Sequence, residues 1–473
     1  MGTIEEKFAW DGQIPRPSNM KFTYEDANAL SEGGGGGGGG GGATLSVAAS
    51  NALNPGNYDY QCTGSADQVI IQQAIAALPT NGGKVMLSEG DFNITAAINL
   101  ASATKRIHLC GFGQATCISN GNTSAQHAIS AMNTSVNPGI RYGTTISDLR
   151  VKGNASSGSG ICLAYCDCPT VVNVTSISNG TYGILLLQNG HSGSEADPTI
   201  AHSRFMTNHA SGLRMDDVHD LLISATHFEG NSTHGVEVTG HTLDVKLTGC
   251  NIEDNAGHQV YFDTTGGSVQ IVGCVMQADA TVSAIFVQKI GYGRITIAGN
   301  TIEGGTRGIC MRTGSLTIKN LAINGNAFWN QTVSAITLGQ TGDTFKTVSI
   351  TGNISGPTTG YPEARGIYLT GCNGGVISSN TLTTKGVGVA LNTSNNVAIT
   401  GNTISAENIG TGSNDKDGLR SVSCEDLLIS SNRITKEGAT DLEAGISIVT
   451  STGEHRLVHN FISGATTDIA GYA

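Results

Sequence analysis

The sequence of 473 residues is poor in charge and has no long apolar run. Charged side chains make up 13% of it, roughly half the usual share, which excludes the charge density of a disordered chain. Its 38% apolar content is enough for a core. No stretch approaches the roughly 18 consecutive apolar residues of a membrane helix, so we expect no membrane insertion. Residues 1–10 include Glu5, Glu6 and Lys7 and show no secretory signal.

Basic residues and cysteine patterns are also sparse. The chain has 25 Lys and Arg against 37 Asp and Glu, so we expect no nucleic-acid partner. The 11 cysteines are too few and too scattered for the disulfide framework of a small secreted domain. Cys162, Cys166 and Cys168 lack the paired spacing and the fourth ligand of a zinc site. We expect buried or loop thiols there, and neither a metal nor a cofactor.

Glycine, by contrast, is abundant, with 66 residues that include an uninterrupted run at 33–42. A run without side chains behaves as a flexible coil. This predicts a poly-Gly linker between a small N-terminal segment, residues 1–32, and the main body; a run added during cloning is the alternative. We expect a capping helix and the first coils at 43–145, and repeats at 146–473.

The main body begins with signals for one helix and two strands. Apolar residues at helical spacing over 67–78 stop at Pro79, which predicts a short amphipathic helix. A turn of Asn, Gly and Gly follows. Strands are then predicted over 84–87 and, after a second turn, up to Ile94.

From about residue 146 the sequence repeats itself. Each copy carries an apolar residue, a bend, an asparagine and a second apolar residue, and the asparagines are Asn300, Asn326, Asn353, Asn380, Asn402, Asn432 and Asn460. The same slot upstream holds Cys274, Cys250, Thr226, Ser203 and Thr175. One unit has no partner for its backbone groups or its apolar face. Stacked units supply both, which predicts a parallel β-solenoid.

The recurring asparagine has a structural role. Asparagine tolerates left-handed backbone at a bend, and amides stacked coil upon coil can hydrogen-bond along the column. Cys250 and Cys274 share this column, so we expect them to form a buried thiol stack.

A family resemblance rests on four segments before the repeats: residues 66–78, then Gly-Gly-Lys-Val-Met-Leu at 82–87, Glu-Gly-Asp-Phe at 89–92 and Leu-Cys-Gly-Phe-Gly at 109–113. They resemble the start of pectate-lyase-like right-handed parallel β-helix proteins. The resemblance implies an all-β fold, a right-handed parallel β-helix (solenoid) with an N-terminal capping helix. It does not imply one activity, because the family includes lyases, hydrolases, epimerases and non-catalytic viral fibres.

The separable N-terminal segment and the long polar solenoid are similar to a bacteriophage tailspike or related virion fibre. This resemblance implies a location in the virion, a homotrimer, attachment of residues 1–32 to other virion proteins, and a host surface glycan as partner. Three hypotheses stay open. The protein is a tailspike that binds and also depolymerises polysaccharide, a non-catalytic structural or receptor-binding fibre, or a cellular polysaccharide lyase or epimerase, which would need an export route.

Stacking also places side chains from successive coils in columns about 4.8 Å apart. Alignment on the asparagine slot puts Glu229, Glu253 and Glu303 in one outward column that ends at Trp329. Glu229 and Glu253 would then lie about 5 Å apart, typical of a retaining glycosidase, and Glu253 and Glu303 about 10 Å apart, near the upper limit for an inverting one. The three glutamates are candidate catalytic residues and Trp329 is a candidate platform for a sugar ring. Exposed charges that aid solubility are the alternative.

A second outward column follows the other strand type and consists of Leu185, Arg214, Glu237, Tyr261, Phe286, Cys310, Thr337 and Tyr368. Two residues further along the same strands are Asp216, Thr239, Asp263 and Gln288. Arginine, carboxylate and aromatic groups on adjacent coils predict a groove for a sugar chain, with Arg214, Asp216, Glu237, Tyr261 and Asp263 as substrate-binding residues. A mixed polar face or a subunit interface is the alternative.

The sequence departs from the catalytic motifs of the enzymes that it resembles. The Gly-His-Gly and Arg-Ile-Lys motifs of polygalacturonases are absent, and His234 stands where their Asn-Thr-Asp-Gly strand entry has Asp. The Trp-Ile-Asp-His strand of pectate lyases is also missing. Seven histidines cluster between residues 202 and 258, which suggests a function without assigning one: His202, His209, His219, His227, His234, His241 and His258.

Overall fold

The computed structural model describes most of the main body and none of the predicted N-terminal parts. The described residues are 43–102, 105–132, 143–166, 168–187, 197–291, 293–312, 317–340, 342–356, 364–407, 417–437 and 442–471. The predicted attachment segment (1–32) and the poly-Gly linker (33–42) lie outside them.

The described residues form 46 strands, numbered here in chain order, in two parallel sheets. Sheet 1 has 31 strands: β1 (Ala43–Ala48), β2 (Tyr60–Gln61), β3 (Gly82–Leu87), β4 (Gly90–Ile94), β6 (Arg106–Cys110), β7 (Thr116–Asn120), β9 (Thr145–Lys152), β11 (Thr170–Ile177), β13 (Thr199–Ala201), β14 (Arg204–Met206), β16 (Leu222–Ser224), β17 (His227–Glu229), β19 (Val245–Thr248), β20 (Asn251–Glu253), β22 (Val269–Val272), β23 (Val275–Ala278), β25 (Arg294–Ala298), β26 (Thr301–Gly304), β28 (Thr317–Ile318), β29 (Asn320–Asn324), β30 (Ala327–Trp329), β32 (Thr344–Thr351), β33 (Ile354–Ser355), β35 (Cys372–Ser378), β36 (Thr381–Thr384), β38 (Asn395–Thr400), β39 (Thr403–Glu407), β41 (Leu428–Ser430), β42 (Arg433–Glu437), β44 (Arg456–Val458) and β45 (Phe461–Ser463).

Sheet 2 has 15 strands, which alternate along the chain with those of sheet 1: β5 (Ile98–Asn99), β8 (Ile129–Met132), β10 (Ile161–Ala164), β12 (Ile184–Leu187), β15 (Leu213–Asp216), β18 (Val236–Gly240), β21 (Val260–Thr264), β24 (Ser283–Lys289), β27 (Arg307–Met311), β31 (Ser334–Leu338), β34 (Arg365–Thr370), β37 (Val389–Asn392), β40 (Asp417–Val422), β43 (Leu442–Val449) and β46 (Ala465–Ala470). Each strand pairs in parallel with the corresponding strand one coil further on, for example β12 with β15 and β15 with β18. This arrangement confirms the predicted parallel β-solenoid.

The core lies inside the coils and is built by the in/out alternation of each strand. In β17, Phe228 is buried while the residues on either side of it face outward. Register stacks the buried positions into one continuous apolar row: Phe205, Phe228, Ile252, Met276, Ile302 and Phe328. Each coil thereby buries the apolar side chains of its neighbours, which a single coil cannot do.

The asparagine column is a hydrogen-bonded ladder, as predicted. Asn300 donates from both its backbone N and its side-chain Nδ2 to Oδ1 of Asn326, at 3.0 and 2.9 Å, and the same pattern continues as far as Asn460. The left-handed backbone, however, belongs to the residue before each asparagine, such as Gly299 and Ser379. The asparagines therefore recur because of their amides.

The predicted asparagine slot is wrong at its first position. Strand β11 aligns Val174, rather than Thr175, with Ser203.

The predicted capping helix is present as α1 (Gln68–Ala77), and two short 3-10 helices are formed by Pro55–Asn57 and Gly113–Ala115. The buried residues of α1 include Ile71 and Ile75, and the buried Asp67 at its start accepts hydrogen bonds from the backbone N of Gly64 and Asn93. Strands β3 and β4 follow, as predicted. No helix in the described part of the chain has both the length and the apolar character needed to cross a membrane.

Candidate functional site

The first predicted column of carboxylates is confirmed by the strand register of sheet 1. Strands β14, β17, β20, β23, β26 and β30 align Met206, Glu229, Glu253, Gln277, Glu303 and Trp329. A second amide ladder, formed by Asn208, Asn231 and Asn255 just beyond the glutamates, holds these strand ends in register with Nδ2–Oδ1 distances of 2.8 Å. Glu229 and Glu253 are therefore direct neighbours on adjacent coils.

A histidine joins the two glutamates. His227 precedes Glu229 by two residues in β17, so both side chains point outward from the same strand. Its Nε2 lies 2.8 Å from Oε1 of Glu253 and 3.6 Å from Oε2 of Glu229. One oxygen of each carboxylate and this nitrogen all lie within 4.8 Å of one another. The three partly exposed groups form one cluster, which we call the Glu–His cluster.

Neighbouring side chains fix the orientation of His227 and Glu253. Nη2 of Arg204 lies 3.4 Å from Nδ1 of His227. Because a guanidinium only donates hydrogen bonds, we infer that Nδ1 accepts and that Nε2 carries the proton donated to Glu253, although Nδ2 of Asn251 also lies 3.3 Å from this Nε2. Asn251 donates from Nδ2 to the same Oε1 of Glu253 at 3.1 Å. Glu253 is thus held by two donors, whereas the contact of Glu229 with His227 is longer.

The other two predicted residues of this column stand apart from the Glu–His cluster. Glu303 lies two coils beyond Glu253, about 10 Å along the axis, with Gln277 between them. Its side chain is exposed and contacts Nδ2 of Asn330 at 3.5 Å. Trp329, one coil further on, is 43% exposed, and its ring packs against the backbone of Gly356.

The second predicted column lies on sheet 2, not beside the glutamates of sheet 1. Register confirms that Arg214, Glu237 and Tyr261 are stacked on successive coils. Arg214 is engaged within the protein, because its guanidinium lies 3.7 Å from Asp216, 3.5 Å from Glu237 and 2.8 Å from the hydroxyl of Tyr182. Three of the predicted binding residues, Arg214, Asp216 and Glu237, therefore form an ion-pair network on the surface.

Tyr261 belongs to a stack of aromatic rings. His234 stacks on Tyr261 with ring centroids 4.5 Å apart, and His258 stacks on Phe286 at 4.4 Å, with interplanar angles of 4° and 7°. We call these four residues the aromatic stack. Burial, followed by the nearby carboxylates of Asp263 and Glu237, raises the pKa of Tyr261 above its usual value. Because the two rings stack, His234 covers one face of Tyr261.

Two details of the second column differ from the prediction. A β-bulge in the pairing of β21 with β24 places Lys289, not Gln288, beside the exposed Asp263. The extra residue in β24 is the physical reason for the shift.

Cys310 keeps its predicted register position but is 2% exposed, so it is buried rather than outward. Cys250 and Cys274 form the expected buried stack, with the backbone N of Cys250 donating to Sγ of Cys274 at 3.4 Å.

The Glu–His cluster contains residues that the sequence prediction missed. Alignment on one column selects one residue per strand, whereas His227 and Asn251 lie two positions earlier in the strands of Glu229 and Glu253. The period of two along a strand is the signal that points to them, because residues i and i+2 share a face.

Two family models match the chain in its sequence. A model described as a right-handed beta helix region matches residues 127–280, and one described as periplasmic copper-binding protein (NosD) matches residues 264–408 and 297–471. Both matches fall on the parallel coils described above. The chain is a right-handed β-helix protein. No curated protein sequence matches this β-helix protein.

Three solved structures are similar to the chain at low sequence identity. The catalytic domain of Agl-KA is 11% identical over 84% of this chain and 66% of that chain, with a TM-score of 0.40, so the β-helix chain spans slightly less than two thirds of that domain. The pre-mature gene product 12 of bacteriophage phi29 is 13% identical over 85% and 72% of the two chains, with a TM-score of 0.49. PfbA, a surface adhesin of Streptococcus pneumoniae, is 13% identical over 91% and 93%, with a TM-score of 0.36. Similarities at this level carry no argument about function.

The side chains of the β-helix do not form the copper centre that the NosD description would imply. In the described part of residues 264–471, no three His, Cys, Asp or Glu side chains converge. The Glu–His cluster lies outside that region. A metal on Nε2 of His227 would also move the ring proton to Nδ1, where it would face the donating guanidinium of Arg204. The described part of residues 264–471 therefore offers no such group for copper, and the ring proton of His227 would have to move before the Glu–His cluster could hold an ion.

Proposed function

We propose that this β-helix protein is a bacteriophage tailspike or virion fibre that binds a host surface polysaccharide and cleaves it at the Glu–His cluster. The observation that carries the proposal is the pair of carboxylates on adjacent coils, with reacting atoms within 4.8 Å and His227 between them. Retaining glycosidases hold their two carboxyl groups at about 5–5.5 Å. A homotrimer, and attachment of residues 1–32 to other virion proteins, belong to the same proposal.

The contacts suggest a division of roles between the two glutamates. Glu253, held by His227 and Asn251, is positioned as the nucleophile that attacks the anomeric carbon. Glu229 donates a proton to the leaving oxygen as the glycosidic bond breaks. Water, deprotonated by Glu229, then cleaves the glycosyl ester of Glu253 and restores both residues. His227 is a positioning residue in this scheme.

The shape of the site suits a polymer rather than a small molecule. The side chains of Glu229 and Glu253 are 34% and 28% exposed on the outer face of a sheet. Trp329 lies three coils from Glu253, about 14 Å along the axis, and its exposed surface can contact a sugar ring several units from the cleaved bond.

The test uses the purified protein and capsular or cell-wall glycan from candidate bacteria. We expect new reducing ends, with the product first released in the configuration of the substrate by proton NMR. Glu253→Gln should lower the rate at least about a thousandfold, because it removes the nucleophile. Glu303→Gln, in the same column, is the matched control and should keep full activity. Loss of activity in Glu303→Gln with inverted product would instead assign the pair Glu253 and Glu303.

A non-catalytic receptor-binding fibre is the second candidate. The observation that favours it is the exposure of the two glutamates, whose side chains are partly accessible on the outer face of sheet 1. This function predicts glycan binding with no released ends, and equal binding by the wild type and by Glu253→Gln.

A further inference from the structure

A groove lined by arginine lies on the outer face of sheet 2, beyond the aromatic stack. Its main part measures about 340 Å³ and is lined by Arg307, Arg312 and Arg365. An adjoining part of about 190 Å³ adds Arg420. The two parts are adjacent, because both are lined by Arg365, Tyr368 and Asn392. We call the whole feature the cationic groove.

The strand register explains why a groove forms here. The column that holds Phe286 continues as Cys310, Thr337, Tyr368, Ala390 and Arg420. Small side chains at 310, 337 and 390 form the floor, while the larger residues rise above it. Arg307 and Arg365 occupy a parallel column with Ser334 between them. Their side chains therefore stand over a smaller residue and leave space between them.

The arginines are held in place by packing. The guanidinium of Arg312 lies 5.4 Å from the ring centroid of Phe286, and that of Arg365 lies 5.1 Å from the ring of Tyr368. Nε of Arg307 is shielded from solvent and has no hydrogen-bond partner among the described residues. Arg420 lies 4.0 Å from the buried Asp417. Guanidinium groups held in this way lose little freedom when they bind a ligand.

Charge distinguishes this groove from the rest of the molecule. The chain has a net charge of −12, yet none of the described residues that line the groove is Asp or Glu. Arg307 and Arg312 bring two guanidinium groups to the main part of the groove, whose described lining has no carboxylate, and this favours an anion there. Arginine also pairs carboxylate and sulfate groups through two parallel hydrogen bonds.

We propose that the cationic groove binds an anionic polysaccharide whose carboxylate or sulfate groups repeat along its length. Arg307 and Arg365 lie two coils apart in one column, and Arg420 lies two coils further on in the neighbouring column, so the steps along the axis are about 10 Å and match a ligand that carries a charge at each such interval. The glycan nature of the ligand rests on the proposed function, whereas the requirement for anionic groups rests on the groove alone. The groove lies on sheet 2, so its binding does not require the Glu–His cluster on sheet 1.

A single-stranded nucleic acid is the other polyanion to consider. Proteins that bind one stack its bases on open aromatic faces. In the cationic groove, Arg365 covers a face of Tyr368, and Arg312 covers a face of Phe286 whose ring also stacks on His258. The groove thus offers guanidinium groups rather than aromatic platforms, which favours a glycan.

The test measures binding of hexasaccharides to the full chain by titration calorimetry. The probes are oligogalacturonate for carboxylate, a heparin-derived hexasaccharide for sulfate, and neutral maltohexaose. We expect at least one anionic probe to bind, more weakly as salt is raised, and maltohexaose not to bind. Arg307→Gln and Arg312→Gln should each weaken that binding about tenfold. Arg294→Gln, which removes an exposed arginine from sheet 1, is the matched control and should leave it within twofold.

The outcomes separate this inference from the proposed function. Binding by Glu253→Gln that equals the wild type, with no glycan cleavage by the wild type, would support the groove and reject the catalytic proposal. The groove proposal is overturned if neither anionic probe binds, if maltohexaose binds equally well, or if Arg307→Gln and Arg312→Gln bind like Arg294→Gln. Tighter binding of a thymidine oligonucleotide than of both anionic sugars would also overturn it.

Discussion

At the scale of single residues, two histidines of the aromatic stack are built to stay neutral. Nδ1 of His234 accepts a hydrogen bond from the backbone N of His258, and Nδ1 of His258 accepts one from the backbone N of Ser283, at 3.0 and 3.1 Å. Burial lowers the pKa of both side chains to about 4, and for His258 the positive charge of Arg312 adds to the effect. Protonation of His234 would place a second donor against the backbone N–H of His258, whereas Nδ1 of His258 also lies 3.1 Å from the backbone O of Ser283, which offsets part of the effect of burial.

This arrangement predicts a loss of stability in acid. A histidine in the unfolded chain has a pKa of about 6.5, so the folded state binds fewer protons between pH 6.5 and pH 4. The stability that each histidine contributes is therefore complete above about pH 6.5 and is lost as the pH falls toward 4, by about 3 kcal/mol per histidine. His258→Phe keeps an aromatic ring and removes one titrating group. We expect its unfolding free energy, measured by urea titration, to fall less steeply with pH than that of the wild type.

The control for the pH prediction is His241→Phe. His241 is exposed and lies outside the aromatic stack, so this variant should retain the pH dependence of the wild type. His258→Phe also removes the acceptor for the backbone N of Ser283, which lowers stability at every pH, so the slope rather than the absolute value carries the test. Equal slopes for wild type and His258→Phe would show that His258 is not responsible.

Residue roles divide into those that the sequence reveals and those that it hides. The hydrogen-bonded ladder could be predicted because few roles besides amide stacking require asparagine at the same slot of successive repeats. The role of His227 could not, because its partners Arg204 and Glu253 lie 23 and 26 residues away on neighbouring coils. The clustering of seven histidines between residues 202 and 258 does not indicate which of them has a role, or which neighbour hydrogen-bonds to which ring nitrogen.

At the scale of elements, helix α1 closes the N-terminal end of the solenoid. Among the described residues no coil precedes the first one, and the apolar side chains of α1 pack against the strands of the first coils, β2 to β5. Ile71 is completely buried, whereas Val69, on the other side of the same helix, is 51% exposed. The helix therefore acts as the capping element that a repeat protein needs.

This contrast predicts unequal effects of two similar truncations. Ile71→Ala leaves a cavity under the helix and should lower the unfolding free energy by about 2–5 kcal/mol. Val69→Ala removes exposed atoms and should change it by less than about 0.5 kcal/mol. Hydrogen exchange of β3 and β4 should report the destabilisation first, because they form part of the first coils beneath the helix. Equal effects of the two substitutions would contradict a capping role.

Elements were the most predictable level of the structure. The repeats predicted the strands and their register because a side chain of one coil lies beside its counterpart one repeat later, and the carboxylate column followed directly. The bulge at β24 was not predictable. It adds one residue to β24, so that Asp263 of β21 pairs with Lys289 rather than Gln288, and this addition changes no sequence pattern. The cationic groove was missed because its arginines come from different columns, separated by a long stretch of chain.

At the scale of the whole molecule, the outer face of sheet 1 changes character along its length. The column that begins with the polar His227 and Asn251 continues along the sheet as Val275, Thr301, Ala327 and Ile354, so it becomes mostly apolar beyond the Glu–His cluster. Val275 and Ile354 are 51% and 50% exposed. Large apolar side chains exposed in one column are typical of a surface that contacts another protein.

This surface leads to the last prediction, which concerns assembly. If the protein is a fibre of the kind proposed, analytical ultracentrifugation should give the mass of three chains, and Val275→Lys with Ile354→Lys should dissociate the oligomer because charge replaces apolar contact. Both positions are half exposed, so the fold should survive, as circular dichroism would show. Leu53→Lys, at an exposed apolar residue 76% accessible elsewhere on the surface, is the matched control and should leave the mass unchanged. A wild type that sediments as one chain would contradict the trimer, and an oligomer that survives both lysines would place its interface on another face.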